Sequence, residues 1–431
     1  MDSAVMAEWD TLQEVVVHRP GIEMFFGLME PSSFLYERAF SMDEAVHEHR
    51  ELEHALEETG AKVHRLKHLA VTLARRNPGL LDVARRYAAG IVRYRGPKAD
   101  VERARASFRK SLGDLDAETV FNILVLRPSV TLDHAGRSGT VFPRVTLDVP
   151  LANLLFMRDQ QAVSDVGVVV GRMSKPQRRM EPVITGAILE MAGAKVAHRV
   201  RAPGTFEGGD FIPAGGFAMV GLGDRTNRAG VDQVLRSGVG FDEVAVVHQP
   251  AHPLIPGDDA DPMVDMHLDT YLNLAGEGVA VGCVPLLRRA KVEVYRRTAG
   301  GYARRSGNPH LLEYLEGKGF KVVPIATVEQ MCYASNFLCV RDRKILAVDV
   351  EEVSGKVVKN LEAEARANPH RYMALLAEAK RELAQLREAG RFFPHKKELH
   401  DLGVEATPLR LQEITGGYGG AHCMTCVVRR G

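Results

Sequence analysis

A single tryptophan, five cysteines and a net charge of only +1 mark this 431-residue chain by what it has little of. Cysteines so few and odd in number (Cys283, Cys332, Cys339, Cys423, Cys426) do not make a disulfide framework. They fit the reduced thiols of a cytoplasm, which is the expected location. Near-neutral charge argues against a dedicated nucleic-acid or membrane-surface protein. No run approaches the roughly 18 apolar residues of a membrane span. The opening MDSAVMAEWDTLQEV has no basic segment followed by an apolar one, so it does not read as a signal peptide. Walker A, H-E-x-x-H and G-x-S-x-G patterns are missing, and GLGDRTNRAG is no dinucleotide fingerprint.

What is present is a globular composition, 45% hydrophobic and 26% charged, long enough for one large domain or two to three smaller ones. Residues 14–18, EVVVH, read as a strand. A helix over 43–59 is predicted by the capping pair Ser41 and Glu44 and by a stop at Gly60, with Val46, Leu52, Ala55 and Leu56 as its buried face. From about 69 to 148 the text turns basic and helical in period, which predicts a helical insertion. Strands follow at VGVVVGRM, FAMVGLG, VAVVHQP, GVAVGC and KILAVDV, and a long helix at 370–389 stops at Gly390. VVVHRPG and VAVVHQPA hint at internal repetition.

Four segments carry candidate chemistry. NLLFMRDQQ reads as a strand ending in a charged turn at Asp159, with Asn153, Phe156 and Arg158 nearby. GTFEGGDFIP sets Glu207 and Asp210 around a glycine pair, either a polar turn or part of a site. In MHLDTYLNL, His267 and Asp269 share a face if the segment is a strand. That histidine is open to two readings, a satisfied core residue or a proton carrier. GGYGGAHCMTCVVRR leads through glycines to Cys423, either a buried inert thiol or a nucleophile. Cys423-x-x-Cys426 has no second ligand pair for zinc and no thioredoxin-like surroundings.

In this order, Asn-x-x-Phe-x-Arg-Asp, Glu-Gly-Gly-Asp, Met-His-Leu-Asp-Thr and the late His-Cys-Met-Thr resemble the arginine deiminases of the guanidino-group-modifying superfamily. LQEVVVHRPG resembles that family's opening strand, and the 69–148 region lies where its members carry a helical insertion. The resemblance implies an α/β fold, a five-bladed propeller of ββαβ units with pseudo-fivefold symmetry. The catalytic domain would span 1–68 and 149–431. Carried over by position, Cys423 is the nucleophile, His267 the general acid and base, and Glu207 its orienting acid. Asp159 and Asp269 hold the guanidinium, and Asp210 is structural. Asn153, Phe156, Arg178 or Arg179, and Arg225 are implied on the substrate side, the arginines at its α-carboxylate. Two departures stand out: Ala152 where the family often has proline, and Tyr418 where some bacterial members carry an arginine.

The chemistry calls for these residue types independently. A guanidinium is a planar, delocalised cation that paired carboxylates match with their own fork of acceptors. A thiolate adds to its carbon, an imidazolium protonates the leaving nitrogen, and water opens the adduct. The expected reaction is arginine to citrulline and ammonia, without metal or organic cofactor. An amidinotransferase, an arginine dihydrolase and a non-catalytic binding propeller are the alternatives. The expected partner is a small guanidino substrate, with no nucleic acid or membrane, and the chain is expected to form a homo-oligomer.

Overall fold

The computed structural model describes residues 1, 3–135, 140–257, 261–262 and 264–431. Its apolar runs become central strands. Gly167–Val170, Phe217–Leu222, Val279–Gly282 and Lys344–Val348 each lie between two partners. Strands covered on both faces need apolar residues at every position, which is why they read as runs and not as alternations. Each pairs antiparallel with the strand before it: Gln161–Ser164, Phe211–Ala214, Leu272–Gly276 and Leu338–Arg341. Each then crosses through at least one helix to a parallel third strand: Val196–Arg199, Glu243–His248, Lys321–Pro324 and Glu405–Leu409.

A fifth sheet of the same pattern joins the two ends of the chain. Leu12–Val17 runs antiparallel to Cys426–Arg430 and parallel to Lys62–Arg65, with the helix Met42–Glu58 as the crossover. A hairpin, Val292–Thr298 and Gly301–Arg304, extends one sheet to five strands. No helix among the described residues is long and apolar enough to cross a membrane.

The helix expected over 43–59 is Met42–Glu58, and the Ser41 side chain accepts from the Glu44 amide at 3.3 Å. Its buried face differs from the expected one. Ala45, Glu48, His49, Leu52, Glu53 and Leu56 are covered, while Val46 and Ala55 are half-buried. The stripe therefore keeps helical spacing but includes two carboxylates, each satisfied by a partner on another element. The long C-terminal helix is Pro369–Ala389, closed by Gly390 at φ +60°.

The 69–148 region is less purely helical than expected. Helices Leu66–Arg76, Pro78–Ile91, Lys98–Lys110 and Ala117–Leu126 are joined by a sheet of Arg93–Arg95, Pro128–Ala135 and Thr140–Leu147. β-Branched residues drive the hairpin, for example Val130 opposite Val145.

The glycine pair at 208–209 is a requirement of packing. A Cβ on Gly208 would lie 2.2 Å from the carbonyl oxygens of both Arg158 and Gln161. Those oxygens belong to backbone and cannot swing away. Gly208→Ala should therefore destabilise the protein by about 3 kcal/mol, the upper end of overpacking costs. Urea unfolding checks this, and an unchanged midpoint would show that the two turns are free to part.

Candidate active site

All four segments are turns that immediately precede strands, where the sequence suggests a strand end for NLLFMRDQQ and a strand for MHLDTYLNL. Asp159 lies in a turn just ahead of Gln161–Ser164, not at the end of a strand. Glu207 is extended, and Gly208–Asp210 forms a 3₁₀ turn into Phe211–Ala214. His267 and Asp269 do not alternate along a strand: His267 is extended and Leu268–Thr270 is a 3₁₀ turn before Leu272–Gly276. Cys423 sits in the turn before Cys426–Arg430. A fifth turn, missed in the sequence, places Ser335 and Asn336 before Leu338–Arg341. Its signal was there in YASNFLCV, a polar pair ahead of an apolar strand.

Hydrogen bonds link these turns into a closed ring. The Arg158 amide donates to the Cys423 carbonyl at 2.9 Å, and the Gly208 amide to the Asp159 carbonyl at 2.8 Å. Leu268 N–H donates to Asp210 Oδ1 at 3.0 Å, which gives Asp210 the structural place expected of it. Ser335 Oγ and Asn336 Nδ2 donate to the Asp269 carbonyl at 3.3 and 3.4 Å. Asn336 Oδ1 accepts from the amides of Gly420 and Cys423 at 2.9 and 3.0 Å, which closes the ring.

Inside it, charged side chains are buried and paired. His267 Nε2 meets Glu207 Oε2 at 3.0 Å, and its Nδ1 lies 3.7 Å from Asp159 Oδ1. Asp159 Oδ2 accepts from Arg178 Nη1 at 2.6 Å. Asp269 Oδ2 is 2.7 Å from His422 Nδ1 and 3.8 Å from Cys423 Sγ. Beneath them Glu8 gathers His422, Arg158 and Arg430. Nothing in MAEWD marks Glu8 as a partner of the C-terminal turn; only the folded chain brings them together.

Charge states follow from these contacts. Burial alone would lower the His267 pKa. The Asp159 carboxylate, the Glu207 hydrogen bond and the Asp210 carboxylate outweigh it and hold the imidazole at about 9. Burial would raise Glu207, yet His267, Arg225 and Arg178 bring it down to about 2. Burial pushes the Cys423 thiol well up, and the Asp269 and Asp159 charges push it further.

The arginine deiminase family model matches residues 32–430. The chain belongs to the arginine deiminase family. An arginine deiminase of Halobacterium salinarum is 26% identical over 98% of this chain and 96% of its own length. One of Mycobacterium tuberculosis is 24% identical over 98% and 97%. Among solved structures, the N-terminal domain of ArgZ matches with a TM-score of 0.51 at 14% identity, covering 97% of this chain and 98% of that one. An amidinotransferase, SxtG from Microseira wollei, matches with 0.50 at 14%, covering 99% and 97%. These structural likenesses speak for a shared α/β fold.

In this arginine deiminase family member, the five residues expected to carry the chemistry lie together and buried. The substrate-side residues divide. Arg178 is buried in ion pairs with Asp159 and Glu181, so its guanidinium braces the site's own acids. Arg179 is exposed and donates to the Ser174 carbonyl at 3.4 Å. Asn153 Nδ2 donates to the Phe34 carbonyl at 2.7 Å. Phe156 packs so close to Gly419 that a Cβ there would lie 2.5 Å from its ring. Arg225 is buried 3.8 Å from Glu207 and lines a cavity of about 600 Å³ with Lys175, Asp224 and Met266. Tyr418 takes a left-handed backbone, φ +68°, between the Ile414–Gly417 turn and Gly419.

The raised His267 pKa makes a signed prediction. Its stabilising contribution is complete below the unfolded value, near 6.5, and is lost as pH rises through about 9. Imidazole nitrogen NMR should find His267 protonated at pH 7 and titrating near 9. A midpoint at or below 6.5 would mean the carboxylates do not hold its charge.

Proposed function

We propose that the protein hydrolyses L-arginine to L-citrulline and ammonia through a covalent adduct on Cys423. One observation carries the reading. Asp159 and Asp269 each have one oxygen tied back, to Arg178 and His422, and one buried oxygen, Oδ1, with no hydrogen-bond partner. His267 Nδ1 is likewise buried and unpartnered. Two acceptors beside a thiol suit a planar cation with several N–H groups, and the imidazole N–H is placed to protonate a leaving nitrogen.

The steps follow from the charges. An arriving guanidinium offsets the Asp159 and Asp269 charges that hold the Cys423 proton on, so the thiol gives its proton up to solvent as substrate binds. The thiolate sulfur bonds to the guanidinium carbon. Glu207 occupies His267 Nε2, so the proton for the leaving nitrogen comes from Nδ1. Ammonia departs and leaves a thiouronium. The now neutral His267 takes a proton from water, whose oxygen adds to the same carbon. The C–S bond breaks and the hydroxyl proton is lost to solvent as the carbonyl forms, releasing citrulline and restoring the thiolate.

The fold part of the proposal is a five-bladed propeller, supported by five sheets of one pattern and by the ring of turns. The catalytic body is assigned to 1–68 and 149–431, with 69–148 inserted. Five free cysteines support a reducing, cytoplasmic setting. Exposed Phe142 and Val145 on the inserted hairpin support assembly with a second copy.

L-Arginine alone should give citrulline and ammonia in equal amounts, measured by product analysis. Ornithine formed only with an added amine would select the amidinotransferase reading, and ammonia in excess of citrulline the dihydrolase. Arg225, buried at the cavity beside Glu207, is assigned to the α-carboxylate. Arg225→Ala should weaken arginine binding by about 1.5–3 kcal/mol. Agmatine, lacking the carboxylate, should be a poor substrate. Agmatine turned over as well as arginine would remove that anchor.

A further inference from the structure

The buried face of helix Met42–Glu58 contains a carboxylate that the reaction does not use. Glu48 is 7% exposed. Its oxygens accept from the Glu413 amide at 2.8 and 3.0 Å and from the Ile414 amide at 2.9 Å. The nearby ammonium of Lys356 pairs with the Glu413 carboxylate instead. A buried acid held chiefly by backbone N–H groups is a costly way to fill space, since its desolvation is not repaid by a direct ion pair. Burial raises its pKa to about 7 against the pull of those amides.

The two amides open the 3₁₀ turn Ile414–Gly417, and N–H groups at such a start have no partner within the turn. The same N-terminal segment grips the other side of that stretch. Arg38 donates to the Gln412 carbonyl at 2.7 Å and to Thr415 Oγ1 at 3.2 Å. The Glu37 amide donates to the Gly416 carbonyl at 2.7 Å, and the Ser41 amide to Glu413 Oε2 at 3.1 Å. Glu48 supplies the acceptors and its neighbours the donors.

From this turn the chain runs directly to the thiol. A Cβ on Gly417 would lie 2.7 Å from the Phe156 ring, and one on Gly419 would lie 2.9 Å from Cys423 Cβ. Loop, ring and cysteine are in contact, so a shift at Ile414 is passed to Cys423. Asn336 pins the far end of the loop at Gly420 and Cys423. We infer that Glu48 is a positioning residue for Cys423, the pin at the near end of its loop. This rests on the reading of Cys423 as the nucleophile.

The test separates positioning from mere stability. Glu48→Ala removes both acceptors, and Glu48→Gln keeps one amide oxygen. With purified, folded enzyme, kcat should fall by about tenfold to a hundredfold in Glu48→Ala, as a misplacement near 1 Å does. KM should move little, and Glu48→Gln should fall between. The alkylation rate of Cys423 by iodoacetamide, followed by peptide mapping, should change in the same order. That readout needs no arginine turnover, so it stands even if the proposed reaction fails. A purely structural Glu48 would lower the unfolding midpoint and leave kcat and alkylation at wild-type values, which would overturn the inference. If Glu48→Ala does not fold, Glu48→Gln decides by the same two measurements.

Discussion

The ring of hydrogen bonds through the five pre-strand turns is the constraint on which the rest of the structure depends. Each turn is buried, so its backbone polar groups need partners within the protein. They satisfy one another: Cys423 carbonyl to Arg158 amide, Asp159 carbonyl to Gly208 amide, Asp210 carboxylate to Leu268 amide, Asp269 carbonyl to Asn336, and Asn336 back to Cys423. Five of the sheets contribute one turn each, so residues far apart along the chain meet in the ring. The site is a consequence of repeated local geometry.

That constraint also explains why so much charge is tolerated in a dry interior. Asp159, Glu207, Asp269 and Glu8 are all buried, and each sits against Arg178, His267, His422, Arg158 or Arg430. Removing one partner would leave an uncompensated charge, which is far more destabilising than losing an exposed pair. The same balance leaves two aspartate oxygens and one histidine nitrogen without a hydrogen bond. In the proposed reading a cation of matching shape completes it.

How far this was legible in the sequence varied with burial. Central strands such as Lys344–Val348 read clearly because both faces are covered. Of the parallel partners, Glu243–His248 read equally well, but Lys62–Arg65 and Lys321–Pro324 did not, being short and partly exposed, with lysine and arginine where a core strand would show valine. Asp159, Glu207, His267, Asp269 and Cys423 are legible as motif residues, and the local structure differs from the expected one only around Asp159, His267 and Asp269, since a turn feeding a strand and a strand feeding a turn share composition. Glu48 occupied a core position of a helical stripe in plain view. A periodicity that counts only apolar residues passes over it. Glu8 and His422 meet across nearly the whole chain, and no local pattern encodes that contact.

The central claim is that Cys423 bonds to the guanidinium carbon within this ring. Rapid acid quench of the enzyme turning over L-arginine, followed by intact-protein mass spectrometry and peptide mapping, tests it most directly. The account predicts a transient added mass equal to arginine less ammonia, located on Cys423. An adduct mapped to another cysteine, or citrulline formed at the wild-type rate by Cys423→Ala, would contradict it.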